Sequence, residues 1–464
     1  MEKFDLIVIG SGAGLDVAIA AAKKGLNVAI IEKSKLGGTC LNIGGIPSKL
    51  CIYSADIIEI IKKAEIFGIK VNEYSIDFEK IINRVIKITD TASNELKKEL
   101  QARNNLRLFL EDCKFIGEKE IVISNNEIIT ADKILIAAGT RPNIPNITGL
   151  ESINYITSTE ALCLKSKPKT LTIIGGGYIA CEFAHFFGAL GTQINIIQRN
   201  DLLLPNEDMD ISTKFTEIFS KKYDVYLGYN TELVTSYNNE TPTNQHKFKV
   251  IIKNKFGKSM EIDSEQILVA TGRMPNSDLL DIEKSGIKIN EKGFLLVNKY
   301  LETNIEGIFA IGDIIGKYQF KHNANNEAKY ACNNILYPDR KIAVDYAAMP
   351  HAIFTSPQIA GVGYTEQELK KEKIEYEKSI YPYIQTAMGQ AIEDKDGFVK
   401  FLIDKSNRKI LGCHIMGTNA SILIHEVLVA MRTTEGKIDN ITKTIHIHPA
   451  LSEVVNKAAF VYNL

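Results

Sequence analysis

Two glycine-rich turns and one cysteine motif carry the residues that could do chemistry. Gly10-Ser11-Gly12-Ala13-Gly14 follows the apolar run Asp5–Ile9, and Gly175-Gly176-Gly177-Tyr178-Ile179-Ala180 follows Leu171–Ile174. Such a turn lets backbone approach a pyrophosphate, and the helix that opens behind it favours the negative charge. Glu32 ends the next apolar run after the first turn, where a carboxylate suits the hydroxyls of an adenosine ribose. The same place in the second unit holds Gln198-Arg199. An arginine attracts the 2′-phosphate that a carboxylate would repel, which favours NADP(H) there over NAD(H). The cysteine is Cys40, in Gly37-Gly38-Thr39-Cys40-Leu41-Asn42-Ile43-Gly44-Gly45-Ile46-Pro47-Ser48-Lys49. A thiol near a helix start ionises readily, but the same residue also serves as packing, and both readings stand. Disulfide exchange needs a second sulfur within reach.

These residues need rigid supports. Strand, glycine turn, helix and second strand occur twice: Asp5–Ile9, a helix through Ala22 and Asn27–Ile31, then Leu171–Ile174, a helix to about Gly188 and Gln193–Ile197. Short strands without polar alternation imply parallel sheets covered on both faces. Two distant copies predict an α/β fold with two doubly wound, Rossmann-like dinucleotide-binding domains. Gly10 and Gly12 fit the dinucleotide pattern, but its third position is Leu15, with Gly14 one place early, which predicts a displaced first helix. Gly175, Gly177 and Ala180 fit it fully. Residues 54–110 suggest an antiparallel helix pair, and residues 236–246 a hairpin tip. From about Ala347 shorter alternating strands and two helices suggest an α+β domain. The expected boundaries are 1–148 and 272–345 for the first unit, 149–271 for the second and 346–464 for the third.

The chain has 464 residues, with 55 Lys+Arg against 56 Asp+Glu and 45% hydrophobic residues. The balanced charge gives no reason to expect nucleic acid or an anionic membrane as partner. No apolar run is long enough to span a bilayer, and the start lacks the features of an export signal, so a cytoplasmic protein is expected. No Cys/His cluster has zinc-ligand spacing, so no metal is expected. Cys51, eleven residues past Cys40, is expected on the same helix about 16 Å away, too far for a disulfide unless that helix breaks. Cys113, Cys163, Cys181, Cys332 and Cys413 read as buried structural residues.

The motif around Cys40 resembles that of the flavin-linked pyridine nucleotide-disulfide oxidoreductases, most closely the dihydrolipoamide dehydrogenase and mycothione reductase branches. The resemblance continues at Gly307–Asp313, at Ile353–Gly363 and at His446-Ile447-His448-Pro449-Ala450-Leu451-Ser452-Glu453, and covers nearly the whole chain. It implies FAD in the first unit and NADP or NAD in the second. It also implies a homodimer through the C-terminal domain. Cys40 matches the family's substrate-exchanging cysteine, and Gly45 stands where the flavin-side cysteine is expected. Lys49 and Glu182 match a pair beside the flavin. His448 and Glu453 match an acid–base pair that reaches the other subunit. Gly38, Thr39, Gly139, Gly272, Asp313, His322 and Ala324 fall at cofactor-binding positions, with Glu327 following in the family's spacing.

Three readings follow. The first is an FAD-dependent NAD(P)H oxidoreductase that serves a small-molecule acceptor with the disulfide step lost at Gly45. The second is a dihydrolipoyl dehydrogenase by descent, and the third a catalytically silent flavin-binding subunit.

Overall fold

The computed structural model describes residues 1–124, 126–237 and 247–461. The first unit opens with β1 (Glu2–Ile9), α1 (Gly14–Lys23) and β2 (Val28–Ile31). It continues through α2 (Gly38–Asn42), α3 (Gly45–Lys63), α4 (Phe78–Gln101), β3 (Leu106–Phe109), β4 (Cys113–Phe115), β5 (Glu120–Ile123), β6 (Ile128–Ile136) and β7 (Thr140–Pro142). Its sheet runs β3-β2-β1-β6-β5-β4. Strands β3, β2, β1 and β6 are parallel, while β5 and β4 are antiparallel additions. Leu6, Ile7 and Val8 are fully buried, as expected for a strand covered on both faces.

The second unit holds α5 (Ser158–Ala161), β8 (Thr170–Ile174), α6 (Tyr178–Ala189), β9 (Gln193–Gln198), α7 (Met209–Lys222) and β10 (Asp224–Leu227). After these come β11 (Tyr229–Ser236), β12 (Phe248–Asn254), β13 (Ser259–Ser264) and β14 (Gln266–Val269). The order β10-β9-β8-β14 forms a parallel sheet, and β11-β12-β13 an antiparallel one. Of the hairpin tip expected over 236–246, all but Ser236 and Tyr237 lie outside the described residues.

The chain then returns. β15 (Arg273–Pro275) pairs antiparallel with β7, so the two crossings between units lie side by side. β16 (Ile308–Ala310) joins the first sheet beside β6, and α8 (Lys321–Leu336) packs on α1.

The last part consists of β17 (Pro350–Ile353), β18 (Gln358–Gly363), α9 (Glu366–Glu372), β19 (Tyr376–Pro382), α10 (Ala387–Ala391), β20 (Phe398–Asp404), β21 (Ile410–Gly417), α11 (Ala420–Arg432), α12 (Asp439–Thr442) and α13 (Glu453–Val461). Its five strands form an antiparallel sheet in the order β17-β18-β21-β20-β19, against which α11 and α13 pack. The two expected helices are present. The additional α9, α10 and α12 span seven, five and four residues, too short for a 3.6-residue period to register.

Two expectations fail near the site. Cys40 and Cys51 do not share a helix, because the chain breaks at Ile43 and Gly44 between α2 and α3. Pro47, in the first turn of α3, and the paired glycines before it were the available signal. Cys51 is nevertheless 1% exposed, and burial pushes its thiol up to about 12. Cys163 is exposed and Cys332 half-buried, while Cys113, Cys181 and Cys413 are buried as expected. Cys163 follows the last turn of a four-residue helix, where apolar neighbours do not enclose it.

Candidate active site

The two glycine turns are built alike. Gly10 has φ +97°, and a Cβ there would stand 2.4 Å from the Ala137 carbonyl oxygen. Gly175 has φ +119°, and its Cβ would stand 2.3 Å from the Ala270 carbonyl oxygen. Only glycine fits either place. Gly12 and Gly177 have nothing within 4 Å of their Cβ positions, nor do Gly139 and Gly272 on the strand ends opposite. Four backbone positions are therefore open to a ligand. Gly14 resolves the irregular third position of the first turn: its Cβ would lie 2.7 Å from Val8 Cγ1 and 3.1 Å from Ala137 Cβ. It supplies the close helix–strand approach one residue early, and Leu15 is simply core.

Glu32 is 8% exposed. Its Oε2 accepts from the Ser11 amide at 3.0 Å and the Ser11 hydroxyl at 2.6 Å. Its Oε1 accepts from the amide and hydroxyl of Ser34 at 3.0 and 3.1 Å. The rotatable hydroxyls are the groups that a ribose would displace. Gly38 presses the start of α2 onto this turn, since its Cβ would be 2.8 Å from Gly12 Cα. Asn42 donates to the carbonyls of Leu36 and Gly38, and its buried Oδ1 has no partner.

Lys49 and Glu182 join α3 to α6. Lys49 Nζ lies 2.8 and 2.7 Å from the two carboxylate oxygens, and the Phe354 amide donates to Oε1 at 2.9 Å. Glu182 is 6% exposed, so the ammonium is what keeps its charge tolerable. Asp313 accepts from Thr140 Oγ1 at 3.0 Å, and Arg273 donates to the same hydroxyl at 2.7 Å. Burial pushes the Asp313 carboxyl up, against the pull of Arg273 and Thr140. Glu327, fully buried, accepts from the Gly312 amide, Asn323 and Tyr346, with burial again raising its carboxyl.

One cavity of about 1580 Å³ gathers most of these groups. Gly10, Gly12, Glu32, Gly38, Thr39, Cys40, Gly45, Lys49, Gly139, Glu182, Asp313, His322 and Ala324 line it. Gly14, Gly175, Gly177, Ala180, Gln198, Arg199 and Gly272 do not. Gln198 turns inward, with Nε2 donating to the Leu202 carbonyl at 3.3 Å and resting against Gly176. His448 and Glu453 also lie outside the cavity. They pair at 2.9 Å, with the His448 side chain 72% exposed.

Sequence reasoning missed Ser11, Asn42, Thr140 and Arg273. The repeated Ala-Gly-Thr-Arg-Pro and Thr-Gly-Arg-Met-Pro segments were the signal for the last two. The cavity, the four open glycine positions and the unpaired Asn42 Oδ1 beside the first turn fit a dinucleotide. Among the described residues no cluster of three or more His, Cys, Asp or Glu could hold a metal ion, and no helix is long and apolar enough to cross a membrane.

Residues 4–328 match the profile of the pyridine nucleotide-disulphide oxidoreductases, and residues 349–459 that of their dimerisation domain. The chain belongs to this family. Mycothione reductase of Mycobacterium tuberculosis is 33% identical over 99% of both chains. Dihydrolipoyl dehydrogenase of Chlamydia trachomatis is 34% identical, over 99% of this chain and 96% of that one. Among solved structures, the Cu(II) complex of the HOCl-induced flavoprotein disulfide reductase RclA from Escherichia coli superimposes with a TM-score of 0.87 at 27% identity, covering 99% of this chain and 100% of that one. The chain is thus a flavin-dependent oxidoreductase of the class that uses FAD and NAD(P)H, and its dimerisation domain supports a homodimer.

Proposed function

We propose that this chain is an FAD-dependent NAD(P)H oxidoreductase that passes electrons to a small acceptor without an internal disulfide. The observation that carries this reading is at Gly45. Among the described residues, chain neighbours and the helix's own backbone aside, the one atom within 4 Å of a Cβ built there is Cys40 Sγ, so no second sulfur faces the thiol from this position. All seven cysteines are free, and four of them are buried.

FAD held in this cavity would supply two-electron chemistry between a nicotinamide and an acceptor. The residues of the chain bind and orient. Gly10 makes the tight turn against Ala137, Gly12 and Gly139 leave backbone open to the pyrophosphate, Glu32 receives ribose hydroxyls, and Asp313 with Thr140 anchors the middle of the cofactor. Lys49, fixed by Glu182, holds a positive charge at the cavity wall between the two nucleotide units. Within this reading residues 1–148 and 272–345 form the FAD unit, 149–271 the nicotinamide unit and 346–464 the dimerisation unit. The β7–β15 pair closes the insertion.

NADP(H) is the favoured nucleotide, because Arg199 is exposed and Gln198 brings no carboxylate. The exposed His448 has Ile445 and Ile447 beside it, 97% and 78% exposed, which suits burial under a second copy. There the His448–Glu453 pair would move a proton at the other copy's cavity.

The test is an anaerobic titration of the purified protein with NADPH, then NADH, counting hydride equivalents taken up per flavin. One equivalent supports the reading. Two reveal a second redox centre and overturn it, in favour of a dithiol-oxidising enzyme.

A further inference from the structure

A stack of rings stands at the edge of the cavity, and no role above accounts for it. The Phe320 ring lies 5.3 Å from that of His322 at 8° and 6.2 Å from that of His351 at 16°. Tyr178, the first residue of α6 behind the second glycine turn, lies 6.5 Å from Phe320 at 45°. His351 belongs to β17 of the C-terminal sheet, yet its Nε2 is 2.7 Å from Glu207 Oε2, just before α7 of the nicotinamide unit. One imidazole thus touches its own sheet, the ring in front of α8 and the nucleotide unit.

The seat of this ring is shaped for it. A Cβ on Gly361 of β18 would stand 2.6 Å from His351 Cε1 and 3.1 Å from His414 Nδ1. His322 is held separately, its Nε2 2.8 Å from the Pro350 carbonyl. The charged and titratable groups facing this place are Glu207 and Asp208 before α7, His414 on β21, His322 on α8 and His425 on α11. Asp208 is already engaged by Lys400 at 2.7 Å, and His414 by the Tyr364 carbonyl at 2.8 Å. Glu207 remains as the carboxylate in contact with His351.

We propose that His351 is a positioning residue for the nicotinamide. Paired with Glu207 and stacked on Phe320, it holds Tyr178 and the second nucleotide turn in register with the cavity, more firmly when protonated. The imidazolium makes a charge-assisted bond to Glu207 and a cation–π contact with Phe320, whereas the neutral ring keeps only an ordinary hydrogen bond. Burial lowers the proton affinity of His351, but Glu207 more than restores it, so the group titrates above its usual value. For His322 burial prevails and the shift is downward. The cationic pair is therefore complete below the ordinary imidazole range and is lost as pH rises through the raised value of His351.

The test uses the holoenzyme and the variants His351→Gln, Glu207→Gln and Phe320→Leu. Hydrogen–deuterium exchange, corrected for intrinsic rates, is followed over residues 174–182 and 204–212 from about pH 6 to about pH 9. The dissociation constant for NADPH is measured alongside. In the wild type, protection of both segments falls with rising pH and NADPH binds about fivefold more weakly at the alkaline end. His351→Gln and Glu207→Gln flatten both responses. Phe320→Leu keeps the response at 204–212 and loses it at 174–182. A wild-type pH response at 174–182 in either His351→Gln or Glu207→Gln overturns the proposal. So does a wild-type response confined to 204–212, which would leave a local ion pair and nothing more. Glu207→Gln is nearly isosteric and guards against misfolding of the histidine variant.

Discussion

Gly45 turns its missing side chain toward the thiol of Cys40: a Cβ there would stand 3.5 Å from Cys40 Sγ and meet no other side chain within 4 Å among the described residues. Gly45 opens α3, and its φ lies outside the left-handed region, so the backbone does not require glycine. The residue leaves a space where a second sulfur would fit. Gly45→Cys should therefore fold, form a disulfide with Cys40 on mild oxidation and remove Cys40 from alkylation mapping. The variant should then take up two hydride equivalents per flavin where the parent takes one. If Cys40 stays alkylatable after oxidation of the variant, position 45 does not face its thiol.

Lys400 ties the nicotinamide unit to the C-terminal sheet. Its ammonium is fully buried, 2.7 Å from Asp208 and Asp210 before and within α7, and 2.6 Å from Glu366 in α9. Lys400→Met leaves the fully buried Asp208 without its lysine and Glu366 with Lys370 and Lys378 alone, which should cost about 3–5 kcal/mol. Denaturant unfolding of the two proteins measures this directly. A loss well under 1 kcal/mol would mean that water reaches the cluster.

The same cluster should govern acid stability. Burial acts to raise the carboxyls of Asp208 and Glu366, but His414 and Lys400 at the first, and Lys370, Lys400 and Tyr376 at the second, hold both below their ordinary values. Groups with depressed folded values stabilise above the unfolded carboxylate range, near pH 4, and that contribution is lost as pH falls through the folded values. The melting temperature of the parent should decline below about pH 4, and Lys400→Met should lose much of that dependence. A parallel pH profile in the two proteins would place the acid-sensitive groups elsewhere.

What could be read from sequence was local. The glycine turns and Glu32 lie within one βαβ unit, and spacing exposes them; the His448–Glu453 pair lies within a few residues, but the family resemblance supplied its role. Lys49 and Glu182 are 133 positions apart, and only the family resemblance joined them; the contact depends on how α3 packs on α6. The Lys400 cluster joins residues 192 and 34 positions apart. Its one sequence trace is a lysine within the apolar run Phe398–Ile403, a place where lysine is rarely left unpaired. The inward turn of Gln198 was not legible either, because a strand-end amide follows its nearest free carbonyl, here Leu202. The break between α2 and α3 was legible in Gly44, Gly45 and Pro47, and the helical reading passed over it.

Lys49→Met tests the bridge between the units. It leaves the 6%-exposed carboxylate of Glu182 with the Phe354 amide as its remaining contact. The expected result is flavin reduction by NADPH slowed roughly a hundredfold in stopped flow, with FAD content unchanged. Glu182→Gln keeps the geometry and loses only charge, so it should be slowed less. Equal rates in both variants and the parent would show that the pair serves stability alone.

Under the proposed preference for NADP(H), Arg199 is the residue that would select the nucleotide. It is exposed at the end of β9, and Gln198 beside it is engaged with Leu202 and free of charge. The position that Glu32 holds just beyond β2 is taken here by Gln198, which offers an unphosphorylated ribose no carboxylate. Arg199→Glu reverses the local sign: the 2′-phosphate then meets repulsion, and a free 2′-hydroxyl gains an acceptor. KM for NADPH should rise by about tenfold or more while KM for NADH falls, and the NADPH effect should shrink as salt is added, since the interaction is solvent-exposed. An Arg199→Glu enzyme with the KM ratio of its parent would mean that the nucleotide is selected by groups other than this strand end.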